Sequence, residues 1–403
     1  MTPLRVPRPP AADPALAFSA EEIRAAVAYA HPRRRWGMLA LATDLLLLAA
    51  LALTTPGRGL VAAVAGLAGR WVPGRAALAT VAVVACRSIA GFPFSVRAWR
   101  QDVRAGLATQ RPPAWLADWL KGRAVGVVLT VPPTAGLVLA ARGLAGQPYT
   151  SAAAAALLVA ALTLAGPLVL EPLFNRFTPL ADGPLRAGAL ATAARMGVPV
   201  GEVLVADASR RTTRLNAYVS GLGRTRRIVL YDNLLALAER EGHDQVLLVL
   251  AHELAHVRHR DVPAGTAAAA LAAALGVLAL DGLFALDGVR AALGVQGLAD
   301  PLAPPGILLL AAVGGLAAAP LASAASRWAE ARADWAALQA RRDPDSAVAV
   351  ERRLALDNLA DLRPNPLIGA WFASHPPVMA RVAQAWLWAE RVDPPEAVPP
   401  PGT

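Results

Sequence analysis

The chain alternates between long apolar runs and arginine-rich polar stretches, and that alternation predicts most of its elements. Apolar runs occupy residues 36–54, 77–97, 123–142, 150–170, 263–284 and 305–325. Each, as a helix, is long enough to cross about 30 Å of hydrocarbon. A seventh run, 59–72, is shorter and contains Arg70, so it reads as a re-entrant or interfacial helix. Ahead of the first run, residues 1–35 are polar, Pro-rich and charged. Within them FSAEEIRAAVAYA at 18–30 predicts a short helix, with Ser19 as N-cap and Glu22 three positions on. No apolar core lies near Met1, so the first span is expected to serve as the insertion signal in place of a cleavable leader.

Two polar segments punctuate the spans. In 172–262 a helix is expected over 184–196, starting at Pro184. Short β-rich runs follow at 202–206, 215–220 and 227–231, with Gly221 and Gly223 marking a hairpin turn between the last two. A helix over 244–261 comes next, with Asp244 as N-cap. Segment 326–388 reads as helical, broken at Pro364, Pro366 and Pro376-Pro377. Two spans separate these segments, so they must meet again on one membrane face to form one domain. The tail 393–403 is Pro-rich and expected to be disordered. The resulting divisions are 1–35, a polar N-terminal segment; 36–171, four spans; 172–262 and 326–388, the two parts of a water-facing domain; 263–325, two spans; and 389–403, a tail.

Composition supports the membrane reading: 56% of residues are hydrophobic and only 17% charged. Soluble domains carry about 25% charged residues. The formal charge of +10 raises nucleic-acid binding as a reading. The arginines instead sit between or beside the apolar runs, as they do on the cytoplasmic side of membrane proteins, so no nucleic-acid partner is expected. Arg33, Arg34 and Arg35 before the first span put the N-terminus inside, and six spans then place the basic loop 97–123 and both polar segments inside as well. A span at 59–72 would invert every basic loop. The expected protein is therefore integral to the plasma membrane of a bacterium, solvated by membrane lipid, with both termini cytoplasmic.

The single cysteine, Cys86, excludes an intrachain disulfide and a multi-cysteine zinc site. A transition-metal site must use histidine and carboxylate, and three of the six histidines fall within eight residues. HELAH at 252–256 puts His252 and His256 one turn apart on one helix face, where both imidazoles reach one zinc ion. Glu253 stands where it can act as general base on the metal-bound water. Three ionisable groups on so apolar a helix are costly to bury without a metal or partners. SRWAEARAD at 326–334 offers Glu330 as third ligand and Asp334, four residues on, to accept from the far nitrogen of a ligand histidine. The same acids could equally pair with Arg327 and Arg332 on a solvated helix face. His375 and Arg381, in SHPPVMAR, could stabilise the oxyanion of peptide hydrolysis, or merely mark a helix start with an exposed arginine. The spacing leaves both pairs open. His259 is expected at the surface or behind the ligands. Asp44 and Arg87 lie at similar depth in the first two spans and are expected to pair inside the bundle, the alternative being that both face a water-filled chamber.

These segments, in this order, resemble the integral-membrane zinc metallopeptidases that include the type I CAAX prenyl proteases and their bacterial relatives. The resemblance rests on GFPFSVRAWR at 91–100, PLFNRFTPL at 172–180, SRRTTRLNAYVSGLGRTRRIVLYDNLL at 209–235, HELAH, SRWAEARAD and SHPPVMAR. It implies one zinc ion on His252, His256 and Glu330, with Glu253 as catalytic base. It implies substrate and transition-state contacts at His375 and Arg381, and an edge strand at Asn216 and Ala217 against which the peptide lies extended. The implied fold is mainly α: a polytopic bundle of about six spans enclosing a chamber, with a zincin-type domain containing a small β-sheet on its cytoplasmic side. The implied function is endopeptidase action on a peptide or protein substrate, membrane-associated ones included. A non-catalytic zinc-binding scaffold and an intramembrane-cleaving protease are the alternatives.

Overall fold

The structure, a computed structural model, describes residues 6, 7, 9, 12–143, 147–221 and 223–392. The expected disordered tail and the middle of the loop 143–149 lie outside the described residues. Helix α1 spans Ala20–Leu53. It opens with the expected capping box, in which Glu22 N donates to Ser19 Oγ at 3.2 Å and Ser19 N to Glu22 Oε2 at 2.7 Å. It does not stop near residue 30. It runs through Pro32 into the first span, so the two expected elements are one helix. Proline removes a single backbone donor there, and tertiary contacts on both sides, Tyr29 to Asp102 and Arg34 to Asp361, hold the helix across the gap.

Helix α2, Thr55–Gly66, has 12 residues and cannot cross a bilayer, in line with the interfacial reading of the seventh run. Helices α3 (Val72–Arg104), α4 (Pro112–Gly143) and α5 (Pro148–Phe174) follow. Next come β1 (Phe177–Pro179), α6 (Pro184–Arg195), β2 (Glu202–Ala206), β3 (Ala217–Ser220) and β4 (Arg227–Tyr231). Helices α7 (Asp232–Glu241), α8 (Asp244–Arg258), α9 (Asp261–Ala285) and α10 (Asp287–Leu293) lead to α11 (Pro304–Arg341). Helices α12 (Pro344–Asp357), α13 (Pro366–Phe372) and α14 (Val378–Val392) complete the described chain.

Among the described residues six helices are long and apolar enough to span a membrane: α1, α3, α4, the Pro148–Gly166 part of α5, α9 and α11. They coincide with the six runs read from the sequence. Their fully buried side chains gather at one end. Leu48, Leu51 and Ala52 of α1 pack there with Ala76 and Ala79 of α3, Phe284 of α9 and Ile307 of α11. Between Ala26 and Leu48 no residue of α1 is fully buried, and none of α3 is after Val83. The bundle is thus packed at the far end and open toward the other, consistent with helices whose remaining surface is solvated by lipid or lines a chamber.

The two polar segments share one core, as their separation by two spans demands. Leu185, Ile228, Leu230, Leu250, Leu254, Ala333, Leu338 and Trp388 belong to a single buried cluster. The sheet order is β1-β2-β4-β3. β2 runs parallel to β4, whereas β1 and β3 are antiparallel to their neighbours. β3 is an edge strand, joined to β4 by a turn in which Gly221 and Gly223 adopt φ of +83° and +56°. β1 was not legible, because three residues ending in Pro179 carry no period-two signal and proline is confined to sheet edges.

The expected helix 244–261 is two helices. Arg260 has φ of +58°, which ends α8 and starts α9 at Asp261. Asp244 is not the N-cap of α8 but its first residue. Its carboxylate accepts from Arg341 at 2.7 Å, and the cap position falls to His243. The charge still sits in the first turn, where the helix dipole favours it. α11 carries the last span without interruption into the second polar segment, so residues 325 and 326 lie within one helix.

Candidate metal centre

Helix α8 buries Val246, Leu247, Leu250, Ala251 and Leu254 in the shared core. That packing fixes its rotation and turns His252 and His256 toward α11. Their Nε2 atoms lie 3.1 Å apart. Glu330 of α11 meets both: Oε2 is 3.2 Å from His252 Nε2 and Oε1 is 3.5 Å from His256 Nε2. The ligand atoms of these three residues all fall within 4.8 Å of one another. The alternative of a solvated acidic face fails for Glu330, which is 9% exposed. Its Oε2 is buried without a hydrogen-bond partner among the described residues. Two imidazole nitrogens and an unpartnered carboxylate oxygen converging on one point form a donor set that fits a metal ion.

Carboxylates stand behind both histidines. Asp334 Oδ1 is 2.8 Å from His252 Nδ1, the role expected of it. Asp261 Oδ2 is 2.8 Å from His256 Nδ1, and Asp261 also pairs with Arg332. Asp261 escaped the sequence reading, because a helix continuing past Arg258 would carry it away from His256. The left-handed Arg260 returns it. Arg332, in turn, lies 4.2 Å from the Trp328 ring, so the opposing charge has its own fixed seat. Each ligand histidine thus has its Nδ1 side occupied by a carboxylate, which fixes the tautomer that presents Nε2 to a metal.

Arg381 of α14 has all three guanidinium nitrogens on carboxylates. Nε and Nη2 donate to Asp334 at 2.9 and 2.5 Å, and Nη1 lies 3.0 Å from Glu351. Three of the five N–H groups are thereby engaged, so the guanidinium holds Asp334, and one N–H on each Nη is left over for the oxyanion role expected of Arg381. Glu351 of α12 was not singled out by the sequence, since nothing local distinguishes ERR at 351–353 from an exposed helix face. His375 stands beside Glu330. Its Nε2 is 3.4 Å from Glu330 Oε2, its Nδ1 faces Ser374 Oγ at 2.8 Å, and its side chain is 60% exposed.

The electrostatics follow from burial and these partners. Burial alone would lower the His252 imidazole, but the Asp334 carboxylate prevails and lifts it to about 10. Burial raises the Glu253 carboxyl above its ordinary value, against the pull of both histidines. A carboxylate so placed binds a proton more readily than a solvated one. Burial lowers His375, with Glu330 opposing. His259 is lowered by burial and then by Arg332, and no contact carries it to the ligand atoms, in keeping with a place outside the donor set.

A cleft of about 920 Å³ opens over these groups, with His252, Glu253, His375 and Arg381 in its wall. Asn216 and Ala217 line it too. Asn216 is exposed, and its carbonyl accepts from Tyr231 N at 3.1 Å. Ala217 begins β3, opposite Leu230 of β4. The outer edge of β3 therefore borders the cleft that holds Glu253.

Comparison with known proteins gives this arrangement a family. The model of Peptidase family M48 matches residues 179–389, just over half of the chain and all of the groups above. The uncharacterized metalloprotease YhfN of Bacillus subtilis is 30% identical over 221 residues, covering 54% of this chain and 51% of that protein. A CAAX prenyl protease 1 homolog of Arabidopsis thaliana is 33% identical over 178 residues, covering 43% of this chain and 41% of that one. The chain thus spans about half or less of the length of these curated relatives. The crystal structure of S. mikatae Ste24p superposes with a TM-score of 0.80 at 20% identity, covering 94% of this chain and 91% of that one, so the fold is shared nearly end to end.

Proposed function

The chain belongs to peptidase family M48, and from that premise we propose that it is a membrane-embedded, zinc-dependent endopeptidase. The observation that carries this reading is the convergence of His252, His256 and Glu330 on one point, with His252 and Glu253 in the wall of one cleft. The two Nε2 atoms, 3.1 Å apart, and Glu330 Oε2, 3.2 Å from the Nε2 of His252, support zinc in particular. Tetrahedral bonds of about 2.0–2.1 Å require neighbouring donors about 3.3 Å apart. One ion fits the three donors and leaves a position open for substrate.

The chemistry that zinc supplies at such a site is polarisation of the scissile carbonyl and activation of the attacking water. Glu253 takes the proton of that water and returns it to the leaving amine, a transfer that its raised affinity for protons favours. His375, the most exposed of these groups, donates to the oxyanion as it forms. Asp334 and Asp261 keep the ligand imidazoles oriented, and Arg381 keeps Asp334 in place. The substrate peptide lies extended along β3 at Asn216 and Ala217, where strand addition satisfies its backbone and aims its carbonyl into the cleft.

Substrates are peptides or proteins that reach the cleft from the membrane or its surface, and membrane lipid solvates the spans. The arginines flanking the spans support a cytoplasmic site and cytoplasmic termini in a bacterial cell membrane. The decisive experiment pairs Glu253→Gln with Glu330→Ala. The first should bind one zinc ion per chain and lose peptide hydrolysis, and the second should lose both. Retained hydrolysis in Glu253→Gln would refute the assigned base. Zinc binding by the wild type with no cleavage of any peptide, or of membrane-fraction proteins compared between wild type and Glu253→Gln, would favour a non-catalytic scaffold.

A further inference from the structure

Helix α11 carries a stripe that the metal site only partly uses. Leu316, Pro320, Ser323, Arg327, Glu330 and Asp334 follow one another at alternating steps of four and three residues, so they share one helix face. The last two serve the metal centre. Leu316, Ser323 and Arg327 meet α13, the short helix PLIGAWF that leads to His375.

The meeting has a definite cause. Pro320 has no backbone N–H, so the Leu316 carbonyl, four residues earlier, loses its helical donor. Leu316 lies within the apolar run 305–325, and no backbone N–H of its own helix replaces that donor. Trp371 fills the gap: its Nε1–H donates to Leu316 O at 3.2 Å. Three further bonds strap the same helix down. Ser323 Oγ donates to Trp371 O at 2.8 Å. Arg327 Nη1 donates to Gly369 O at 3.0 Å and to Ala373 O at 2.8 Å, capping carbonyls at the C-terminal end of α13. Two residues beyond Ala373 stands His375, 3.4 Å from Glu330 on the same face of α11.

We propose that Trp371 and Arg327 are positioning residues, with the carbonyl freed by Pro320 as the docking point, and that they hold α13 against α11 so that His375 stays beside Glu330. One proline thus converts a span into a ruler, with the α13 anchors at one end and the metal ligand at the other. The catalytic half of this inference rests on the peptidase reading above; the docking half does not.

The test uses the full-length protein in nanodiscs and two substitutions alone and combined. Trp371→Phe keeps the ring and deletes the N–H. Pro320→Ala returns an N–H to the helix, which then serves Leu316 O itself. Amide exchange is followed by mass spectrometry across 366–375. With Pro320 present, Trp371→Phe should speed exchange at the end of α13 about fivefold, the equilibrium factor of one net hydrogen bond. In the Pro320→Ala background the same change should have an effect of less than about twofold, because the carbonyl is already satisfied. Equal acceleration in both backgrounds, or none in either, overturns the docking.

For the catalytic half, Arg327→Gln should lower kcat for a cleaved peptide about tenfold with KM and zinc content unchanged, as expected when a transition-state contact alone is misplaced. Arg327→Lys, which restores one donor, should recover part of it. A proportional loss of zinc, or a rise in KM with kcat intact, overturns the positioning role. If the wild type cleaves no peptide, the peptidase reading fails while the exchange result still decides the docking.

Discussion

His256 Nδ1 and Asp261 Oδ2 lie 2.8 Å apart across the break between α8 and α9. The break is a single left-handed residue, Arg260. It costs backbone energy of about 1 kcal/mol, since a Cβ crowds that conformation. The contact it makes possible fixes the imidazole so that Nε2 faces the metal donors. Asp261 is itself held by Arg332, so its charge is aimed rather than mobile.

Asp261→Asn should therefore weaken metal binding about 10- to 100-fold, the usual cost of losing a carboxylate behind a ligand histidine. Competition with a chromophoric chelator would measure it. Hydrolysis at saturating zinc should fall much less. An unchanged zinc affinity would show that Asp261 serves only the helix junction.

How much of this site could be read from sequence depends on where its residues sit. HELAH was legible because one-turn spacing on a helix survives into three dimensions, whereas Glu330 and Asp334 followed from the family resemblance, their spacing alone leaving an exposed acidic face open. Asp44–Arg87 was legible because a lone charge in an apolar run requires a partner. Asp261 and Glu351 were not legible, for different reasons. Asp261 depends on a backbone break that no glycine or proline announces. Glu351 sits on a helix of ordinary polar pattern, and only the docking of α12 beneath Arg381 buries it. Arg381 was recognised as part of the site, yet its partners could not be, because their side of the guanidinium is set by tertiary packing. The apolar run 305–325 lies within α11, but the continuation of that helix to Glu330 and Asp334 shows in no local signal.

Asp44 and Arg87 form a two-pronged pair between α1 and α3, with Nε to Oδ1 at 2.7 Å and Nη2 to Oδ2 at 2.8 Å. Both lie within candidate spans. Arg87→Leu leaves a carboxylate without its partner there and should destabilise the protein by about 2–3 kcal/mol. Asp44→Leu in that background should restore part of the loss. Thermal unfolding in nanodiscs reads both; equal damage from each change without rescue would show that each is separately solvated in a water-filled chamber.

Glu351 gives the domain a pH dependence. Burial, with Asp334 adding to it and Arg381 opposing it, pushes the Glu351 carboxyl up to about 7. His252 and Glu330 act on it more weakly and in opposite senses. The folded state therefore holds a proton that the unfolded chain releases above the ordinary value of 4.5. The associated stability is fully present below that value and is lost as pH rises through about 7. Glu351→Gln removes this titration. The fall in apparent Tm from pH 5 to pH 8 should be smaller in the variant than in the wild type, corresponding to about 2–3 kcal/mol. Parallel profiles would mean that Glu351 stays ionised against Arg381 throughout.

Glu171 joins the last turn of α5 to the sheet. Ser220 Oγ donates to Oε1 at 2.7 Å, Arg227 Nη2 to Oε2 at 3.1 Å, and the Tyr218 hydroxyl approaches at 3.5 Å. Ser220 and Tyr218 belong to β3, the edge strand bordering the cleft, and Arg227 opens β4. A single carboxylate at the end of a membrane helix thus holds both strands of the hairpin. The strand proposed to receive a peptide is short and has a neighbour on one side only, so its alignment depends on this anchor. Burial and the Glu171 charge also raise the Tyr218 hydroxyl, which keeps it protonated as a donor. Glu171→Ala should leave zinc content intact and raise KM for an extended peptide about 5- to 30-fold, the equivalent of about 1–2 kcal/mol in lost alignment. The fall in kcat should be smaller, because Glu253 and the donor atoms sit on α8 and α11, which Glu171 does not touch. Steady-state kinetics on one peptide separates the two: a loss confined to kcat would mean that β3 aligns the reacting carbonyl and adds nothing to ground-state binding.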